Sequence, residues 1–345
     1  MVTQDADKHA WERPGAYEVA PGVHRIPLPL PGDGLSAVNV YAIDDGERLV
    51  LVDAGWALDE SRGRLADALA TIDRDLGDVG AFLVTHLHRD HYTQAVAVRR
   101  LFGARVLLGA GEKESLAAIQ RNHGQTVPWA LAATLRRNGA AELVDRLARE
   151  DVFEPLDAAE YASPDEWITN GTPIGYGGST LVPIATPGHT GGHLVFHDPA
   201  ARLMFAGDHV LPHITPSVGF EAAPPRSPLG DYIGSLHALL ALPDARLLPA
   251  HGPVRESTHA RVRDLVAHHH RRLDETERMV RSGVETGYEV ARRLTWTSRG
   301  RAFEDLDLFN RSLAVNETVA HLVVLADQGR IRAGETDGVV RYAVG

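Results

Sequence analysis

Three histidines and one aspartate lie within a short segment, Val84 to His91, which reads Val-Thr-His-Leu-His-Arg-Asp-His. The segment follows a run typical of a buried strand and precedes a helical pattern. Two histidines separated by one residue point apart on a helix but the same way in an extended turn. We therefore expect His86 and His88 to bind one ion, and Asp90 and His91 to face a second. Imidazole and carboxylate ligands suit zinc, with manganese and iron as alternatives.

Three more residues of ligand type follow predicted strands elsewhere in the chain. His189 lies in Thr-Pro-Gly-His, Asp208 in Ala-Gly-Asp-His, and His251 in Pro-Ala-His-Gly. A polar residue at the end of a strand is more often a turn former or a cap, so each is weak evidence alone. Because strand ends converge on one edge of a sheet, their recurrence predicts a shared metal site.

Composition narrows the chemistry open to this chain. It has 345 residues with 18 histidines and no cysteine, which excludes disulfides, thiolate-bound metals and cysteine nucleophiles. The net charge of −11, from 35 basic and 46 acidic residues, argues against a main role in binding polyanions. No apolar leader is visible, and no apolar run approaches the roughly 18 residues that span a bilayer. We expect a cytoplasmic protein without a membrane segment.

The surrounding pattern predicts the elements that must position these residues. From Gly22, strand and helix patterns alternate, and neighbouring strands pair through turns such as Asp45-Gly46, so we expect a mixed α+β sheet covered by helices. Residues 112–167 carry helical patterns instead, which predict either a lid over the site or a peripheral packing element. After about residue 258, three helical patterns and a hairpin follow in the order of a winged helix.

The order of the motifs resembles that of the metallo-β-lactamase superfamily of hydrolases. His-x-His-x-Asp-His, Thr-Pro-Gly-His, Gly-Asp and a final His follow one another within residues 22–257. The resemblance implies a four-layer αβ/βα sandwich that holds two divalent metal ions, with zinc as the favoured metal. The implied ligands are His86, His88 and His189 for the first ion, Asp90, His91 and His251 for the second, and Asp208 as a bridge. Asp53, in Leu-Val-Asp-Ala-Gly, matches the acid that orients a ligand histidine through its other N–H.

The predicted organisation has three parts. They are an N-terminal arm (1–21), a metallo-β-lactamase-fold catalytic domain (22–257) with a helical insertion at about 112–167, and a winged-helix-like domain (258–345).

Two departures from the family pattern lie near the site. Gln94 stands where the family usually has glycine, which implies a differently shaped wall. The segment from Asp208 to His213 differs from the short loop of glutathione-thioester hydrolases. The absence of cysteine also excludes the antibiotic-degrading subclasses that use a cysteine ligand.

The implied reaction is hydrolysis by a hydroxide that bridges two cations, which lower its pKa from 15.7 toward about 7. Asp90 is expected to bind metal and also to orient the attacking hydroxide or take up its proton. His213 and Tyr232, which follow the bridging aspartate, are candidate hydrogen-bond donors to the oxyanion or leaving group. For each of these two, a packing or surface role is the alternative.

Three functions remain open. The favoured one is hydrolysis of a small ester, thioester or lactone, with apolar residues of the insertion (Trp129, Leu131, Leu135, Leu143) forming a lid over an acyl chain. The alternative is a phosphodiesterase or endoribonuclease, because the C-terminal region resembles the tail of some superfamily endoribonucleases and polyketide thioesterases. The third is a non-catalytic metal-bound scaffold or regulator, which would require a broken site.

The charge of the C-terminal region indicates whether nucleic acid or a small molecule is the expected partner. From Thr286 to the C-terminus basic and acidic residues balance, whereas a nucleic-acid reader normally shows a basic face. A small-molecule substrate is therefore expected and nucleic acid is not. The C-terminal region is expected to shape the mouth of the site or to form a homodimer.

Other polar residues are expected to support the fold. His193 is predicted to support the His189 loop, and Asn39 and Tyr41 to pack and hydrogen-bond on a strand. His268, His269 and His270 fall on a long charged helical pattern, which predicts a solvated face.

Overall fold

The computed structural model describes residues 9–32, 34–122, 127–297 and 300–345. The strands of these residues form two large sheets and a hairpin. The seven-stranded sheet contains, in spatial order, β1 (Tyr17–Ala20), β2 (Val23–Pro29), β3 (Ala37–Asp45), β4 (Arg48–Val52), β5 (Val79–Val84), β6 (Arg105–Gly109) and β7 (Glu166–Ile168). The five-stranded sheet contains β8 (Ile174–Tyr176), β9 (Ser179–Ala185), β10 (Leu194–Asp198), β11 (Leu203–Gly207) and β12 (Arg246–Pro249), with β12 at one edge and β8 at the other. The hairpin pairs β13 (Ile331–Thr336) with β14 (Val339–Val344).

Helices flank the two sheets, and several of them pack mainly against other helices. They are α1 (Asp59–Ala70), α2 (Arg89–Phe102), α3 (Lys113–Asn122), α4 (Trp129–Arg137), α5 (Ala141–Arg149), α6 (Pro228–Leu240), α7 (Thr258–Arg281), α8 (Gly287–Arg293) and α9 (Leu308–Asp327). Among the described residues, no helix combines the length and the apolar character needed to cross a bilayer.

Three apolar clusters define the layers. One lies between the sheets and joins Tyr41 of β3 to Phe196 and Phe205 of the second sheet. A second joins the first sheet to α1 and α2, and a third joins the second sheet to α6, α7 and α9. The order is thus helix, sheet, sheet, helix, which confirms the predicted four-layer αβ/βα sandwich.

Strand direction explains where the polar residues collect. Strands β4, β5 and β6 run parallel, as do β11 and β12, and β9 has the same direction as β11 because both are antiparallel to β10. The residues of interest follow the carboxyl ends of these strands: Asp53 after β4, His86 after β5, His189 after β9, Asp208 after β11 and His251 after β12. One edge of the sandwich therefore gathers them.

The predicted insertion and C-terminal region have the expected elements. Between β6 and β7 the chain forms α3, α4 and α5, and the helical pattern from Trp129 to Arg149 is broken at Gly139, whose φ is +86°. After Ser257, whose hydroxyl accepts from the backbone N–H of Ala260 at 3.0 Å, the order is α7, α8, α9 and the hairpin. The third apolar cluster contains side chains of both regions, so they pack together. The domain boundaries and the winged-helix assignment stay predictions.

Three expectations about individual segments were wrong. Tyr17–Ala20 belongs to the predicted arm, yet it pairs with β2, because Gly22 (φ +70°) permits a tight turn between them. Leu135 and Leu143 are buried in the third apolar cluster instead of forming a lid. His269 is buried on α7 because this helix packs against α6 and α9. The arm before residue 9 lies outside the described residues.

Candidate metal centre

The first group of ligands lies at the ends of β5, β9 and β11. Nε2 of His86 lies 3.0 Å from Nδ1 of His88, and Nε2 of His189 lies 3.2 and 3.0 Å from those two atoms. Oδ2 of Asp208 lies 3.5 Å from Nε2 of His189. Atoms bonded at about 2.0–2.1 Å to a tetrahedral zinc ion lie about 3.3 Å from one another. The spacing of these four side chains therefore fits one such ion.

Asp90, His91 and His251 form a second group beside the first. Nε2 of His251 lies 3.4 Å from Oδ2 of Asp90 and 3.2 Å from Oδ1 of Asp208. Nε2 of His91 lies 3.5 Å and 3.6 Å from the same two oxygens. Asp208 thus directs one oxygen to each group, in the position of a bridge. The structure brings all seven candidate ligands together.

The outer nitrogen of each ligand histidine is held by an oxygen acceptor. The pairs are His88 Nε2 with Phe220 O (2.9 Å), His189 Nδ1 with Ser217 O (2.6 Å), His251 Nδ1 with Ala37 O (2.7 Å), His91 Nδ1 with Asp53 Oδ2 (2.9 Å) and His86 Nδ1 with Thr85 Oγ1 (3.0 Å). The Thr85 hydroxyl donates its own hydrogen to Asp53, so it accepts from His86. A neutral imidazole carries one N–H, and these acceptors hold it at the outer nitrogen, so the lone pair of the inner nitrogen is directed into the site whenever the imidazole is neutral.

Charge also favours cations at this site. Burial, reinforced by neighbouring imidazoles, lowers the pKa of His86 well below its usual value and that of His189 to about 3. Burial acts the same way on His91, but the carboxylates of Asp90, Asp53 and Asp208 outweigh it and raise its pKa to about 9. The carboxylates therefore call for compensating positive charge at the second group.

Buried polar atoms without hydrogen-bond partners test whether the ligand residues suit bound cations. Within the described part of the chain, Nε2 of His91, Nε2 of His251 and Oδ1 of Asp208 are buried without a hydrogen-bond partner. Buried polar atoms are rarely left unsatisfied, and a bound ion is one established explanation. The inward lone pairs, the carboxylate oxygens and the orphaned atoms together fit a pair of divalent cations.

Several residues that orient the ligands escaped the sequence analysis. The carbonyls of Ser217 and Phe220 hold two histidines, but a backbone carbonyl leaves no signal in a sequence. Thr85 stands inside the first motif, where its hydroxyl between His86 and Asp53 becomes evident only from the structure. Asp53, by contrast, was identified, and it accepts from both Thr85 and His91.

Residues outside the ligand set form hydrogen bonds with the turns that carry the ligands. Asn39 and Tyr41 on β3 donate to the carbonyl of Pro249 at 3.0 and 2.8 Å, which ties the turn before His251 to the opposite sheet. His193 accepts from the backbone N–H of Asp208 at 3.2 Å. His193 thus supports the Asp208 turn. Its Nδ1 also donates to the hydroxyl of Thr186 at 2.9 Å, and its carbonyl accepts from the backbone N–H of Thr186 at 2.9 Å, so it supports the turn that carries His189 as expected.

The two predicted hydrogen-bond donors lie in different surroundings. Tyr232 is fully buried, is absent from the cavity wall and donates its hydroxyl to the carbonyl of His209 at 2.9 Å. We therefore correct its role from a donor to the substrate to a support of the Asp208–His209 turn. His213 is exposed on the cavity wall, where its ring nitrogens lie 3.2–3.3 Å from the guanidinium of Arg255. Its role as a donor stays a prediction.

Glu221 anchors the segment that supplies the two carbonyls. Its Oε1 accepts from the backbone N–H of Gly191 at 2.8 Å, and its Oε2 accepts from the hydroxyl of Ser115 at 2.7 Å. Glu221 follows Phe220 directly, so these bonds fix the carbonyl that holds His88. They also tie the segment to the loop after His189.

Replacing Glu221 with alanine is expected to weaken metal binding about 10- to 100-fold, as is typical when partners of ligand residues are lost. The reason is that the Phe220 carbonyl loses its anchor and His88 is no longer held in one orientation. Zinc affinity measured by competition with a chromophoric chelator checks this. E221Q keeps oxygen acceptor capacity and should bind zinc more tightly than E221A, and the exposed E60A should match the parent. Equal affinity in E221A and the parent would refute the anchoring role.

A second glutamate, Glu112, is buried beside this loop. Its Oε1 accepts from the Thr190 hydroxyl, and its Oε2 is buried with no hydrogen-bond partner among the residues that the structure describes. Burial, with the nearby charge of Glu221 adding to it, raises the pKa of Glu112 to about 8. The folded protein therefore retains this proton at pH values where the unfolded chain, with an ordinary pKa near 4.5, has released it.

The raised pKa of Glu112 predicts a stability that falls as the pH rises. Its contribution is complete below about pH 4.5 and is lost by about pH 8, because the unfolded chain then releases the proton more readily. E112Q removes the titrating group, so the loss of unfolding free energy between pH 5 and 8.5 should shrink by on the order of 2–4 kcal/mol. Urea unfolding at both pH values measures this. The exposed E114Q on α3 serves as the control, and an unchanged pH dependence in E112Q would contradict the prediction.

A cavity of about 1670 Å³ opens over the two ligand groups. Its wall includes ligand residues, among them His88, Asp90, His189 and Asp208. Further out, apolar side chains come from the insertion, the segment before α6, and α9 with the loop that precedes it, whereas α7 contributes charged side chains that include Arg261, Asp264 and Arg271. Trp129 and Leu131 of the insertion are on this wall, and their part in a lid stays a prediction.

Comparison with known proteins agrees with this geometry. Residues 33–251 match the family described as "Metallo-beta-lactamase superfamily", and the chain belongs to this family of metal-dependent hydrolases. The "Lactamase-like protein nscB" of Trichophyton rubrum is 28% identical over 322 residues, covering 92% of this chain and 75% of its own. The "Probable metallo-hydrolase YqjP" of Bacillus subtilis is 25% identical, covering 87% and 90%. The crystal structure of a metallo-beta-lactamase family protein from Thermus thermophilus superposes with a TM-score of 0.76 at 27% identity, covering 95% and 100%.

Proposed function

We propose that this protein uses two divalent ions, zinc by preference, to hydrolyse a small ester, thioester or lactone. The observation that carries the proposal is the position of the ligand groups at the floor of a cavity whose wall carries apolar side chains from the insertion, the segment before α6 and α9. An apolar wall suits the acyl part of such a substrate, and the ligand groups at the floor suit its carbonyl.

The ligand residues, the groups that orient them and Asp90 have different roles in the proposed reaction. Divalent ions bound to such ligands acidify a water molecule and polarise a carbonyl oxygen. The carbonyls of Ser217 and Phe220 and the Asp53 carboxylate keep the ligand imidazoles in the tautomer that binds cations. Asp90 lies on the cavity wall; burial would raise the pKa of its carboxyl, but His91 and His251 hold that pKa far below the usual value. It is thus an ionised acceptor that can orient the attacking water and take its proton.

Three of the four arginines on the cavity wall argue for an acyl substrate over a polynucleotide; the fourth, Arg271, also lies on α7. Arg261 donates to the carbonyls of Leu211 and Ile214, and Arg272 forms an ion pair with Glu275 at 3.0 Å. Arg89 stacks on Trp56 at 3.9 Å and lies 3.7 Å from Glu154. These guanidinium groups are engaged within the protein, whereas phosphate recognition draws on available cations.

A substrate panel combined with metal analysis tests the proposal. The protein loaded with zinc, manganese or iron is offered an aryl ester, an acyl thioester, a lactone and a short RNA. We expect two ions per chain and turnover of at least one acyl compound, both lost in H86A and kept in H237A, which replaces an exposed histidine. RNA cleavage faster than acyl turnover and abolished by H86A would establish the nuclease alternative instead. Fully bound metal without any turnover would favour the scaffold.

A further inference from the structure

Three phenylalanines from separate regions meet on the cavity wall. Phe153 follows the insertion helix α5, Phe220 precedes α6, and Phe309 lies at the start of α9. The ring centroids are 6.3 Å apart for Phe153 and Phe220, 5.6 Å for Phe153 and Phe309, and 5.9 Å for Phe220 and Phe309. Such distances are typical of aromatic rings in direct contact. We call this group the aromatic cluster.

The aromatic cluster reaches the candidate metal centre through one of its members. The ring of Phe220 lies 6.3 Å from the ring of His88, and the carbonyl of the same residue accepts from His88 Nε2. All three phenylalanines are only partly buried, so they retain apolar surface that faces the cavity. An apolar surface that continues from a ligand residue is placed to contact whatever is attached to the reacting carbonyl.

We propose that the aromatic cluster is a subsite for the acyl group of the substrate, which selects acyl groups of medium length or greater over acetyl. The inference rests on the proposed function, since it names the substrate class of that same site. Its physical basis is apolar burial: each methylene that leaves water on binding strengthens the interaction about fourfold. An acetyl group attached at the metal centre is too short to extend from His88 past Phe220 to Phe153 and Phe309.

A chain-length series tests the subsite. Zinc-loaded protein is assayed with 4-nitrophenyl esters from acetyl to decanoyl, and kcat/KM is compared in the parent, F153A, F309A and F309W. In the parent, kcat/KM should rise about fourfold per added methylene until the aromatic cluster is filled. F153A and F309A should flatten this rise by lowering kcat/KM for decanoyl much more than for acetyl, and F309W should end the rise at a shorter chain. F102A, which removes an exposed phenylalanine at the end of α2, should follow the parent.

A binding experiment separates failure of the subsite from failure of the proposed function. Calorimetry compares sodium decanoate with sodium acetate on the zinc-loaded protein; both carry the same carboxylate and neither is hydrolysed. Decanoate should bind at least about tenfold more tightly than acetate, and F309A should remove most of that preference. Equal binding of the two, or a chain-length profile unchanged in F153A and F309A, would overturn the subsite even if esters are turned over. Tight decanoate binding without turnover of any acyl compound would support the subsite and refute the hydrolase.

Discussion

Replacing Asp208 with alanine is expected to lower kcat/KM more than about 10³-fold, beyond the 10- to 100-fold loss typical of residues that only support ligands. Asp208 directs Oδ2 to His189 and Oδ1 to His91 and His251, so a single truncation removes an oxygen from each ligand group. The variant should also retain fewer than two ions per chain. Activity toward the best acyl substrate and metal content by plasma emission spectrometry check both expectations.

The control for this experiment is D67A, which removes an exposed aspartate from α1 and should leave both quantities unchanged. A D208A protein that keeps two ions per chain and activity within tenfold of the parent would show that Asp208 does not bridge the groups.

Replacing Asp53 with asparagine is expected to weaken metal binding at the second group about 10- to 100-fold. The Asp53 carboxylate accepts from the backbone N–H of Thr85 at 2.8 Å and from Nδ1 of His91 at 2.9 Å. An amide in its place can turn its NH₂ toward His91, which favours the tautomer with the proton on Nε2. That nitrogen then loses the lone pair it needs to bind an ion. Titration of apo-protein with zinc against a competing chelator measures the loss.

The matched control is D198N. Asp198 is a buried aspartate at the end of β10 remote from the ligands, where it accepts from Tyr176 and Ser179. D198N should lower stability without changing zinc affinity. If D53N binds two zinc ions as tightly as the parent, Asp53 does not set the tautomer of His91.

The ligand set could be predicted from sequence because its information is local. His86, His88, Asp90 and His91 occupy one turn, and the other ligands each follow a recognisable strand. Once the strands are assigned, the common edge follows from the parallel arrangement of the sheet. The family pattern then supplies the pairing of ligands with ions.

The orientation of those ligands could not be predicted, since it depends on contacts between distant segments. The carbonyls of Ser217 and Phe220 carry no side-chain signal, and the link from Glu221 to Ser115 joins residues 106 positions apart. Tyr232 follows Asp208 in the chain, as a donor to the substrate would, but the packing of α6 directs its hydroxyl to the His209 carbonyl. His269 sits in a charged stretch and is nonetheless buried, because tertiary packing decides which face of a helix meets solvent.

The attachment of the His251 turn to β3 has a consequence for assembly. Asn39 and Tyr41 belong to one sheet and Pro249 to the other, so the last ligand is placed only after the two halves of the sandwich have docked. Neither half alone contains a complete cation cage. We therefore expect cation uptake to be a late event in folding and its binding energy to stabilise the docking of the two halves. Removing the cations should first weaken the contacts between the two sheets, while the apolar core within each half stays packed.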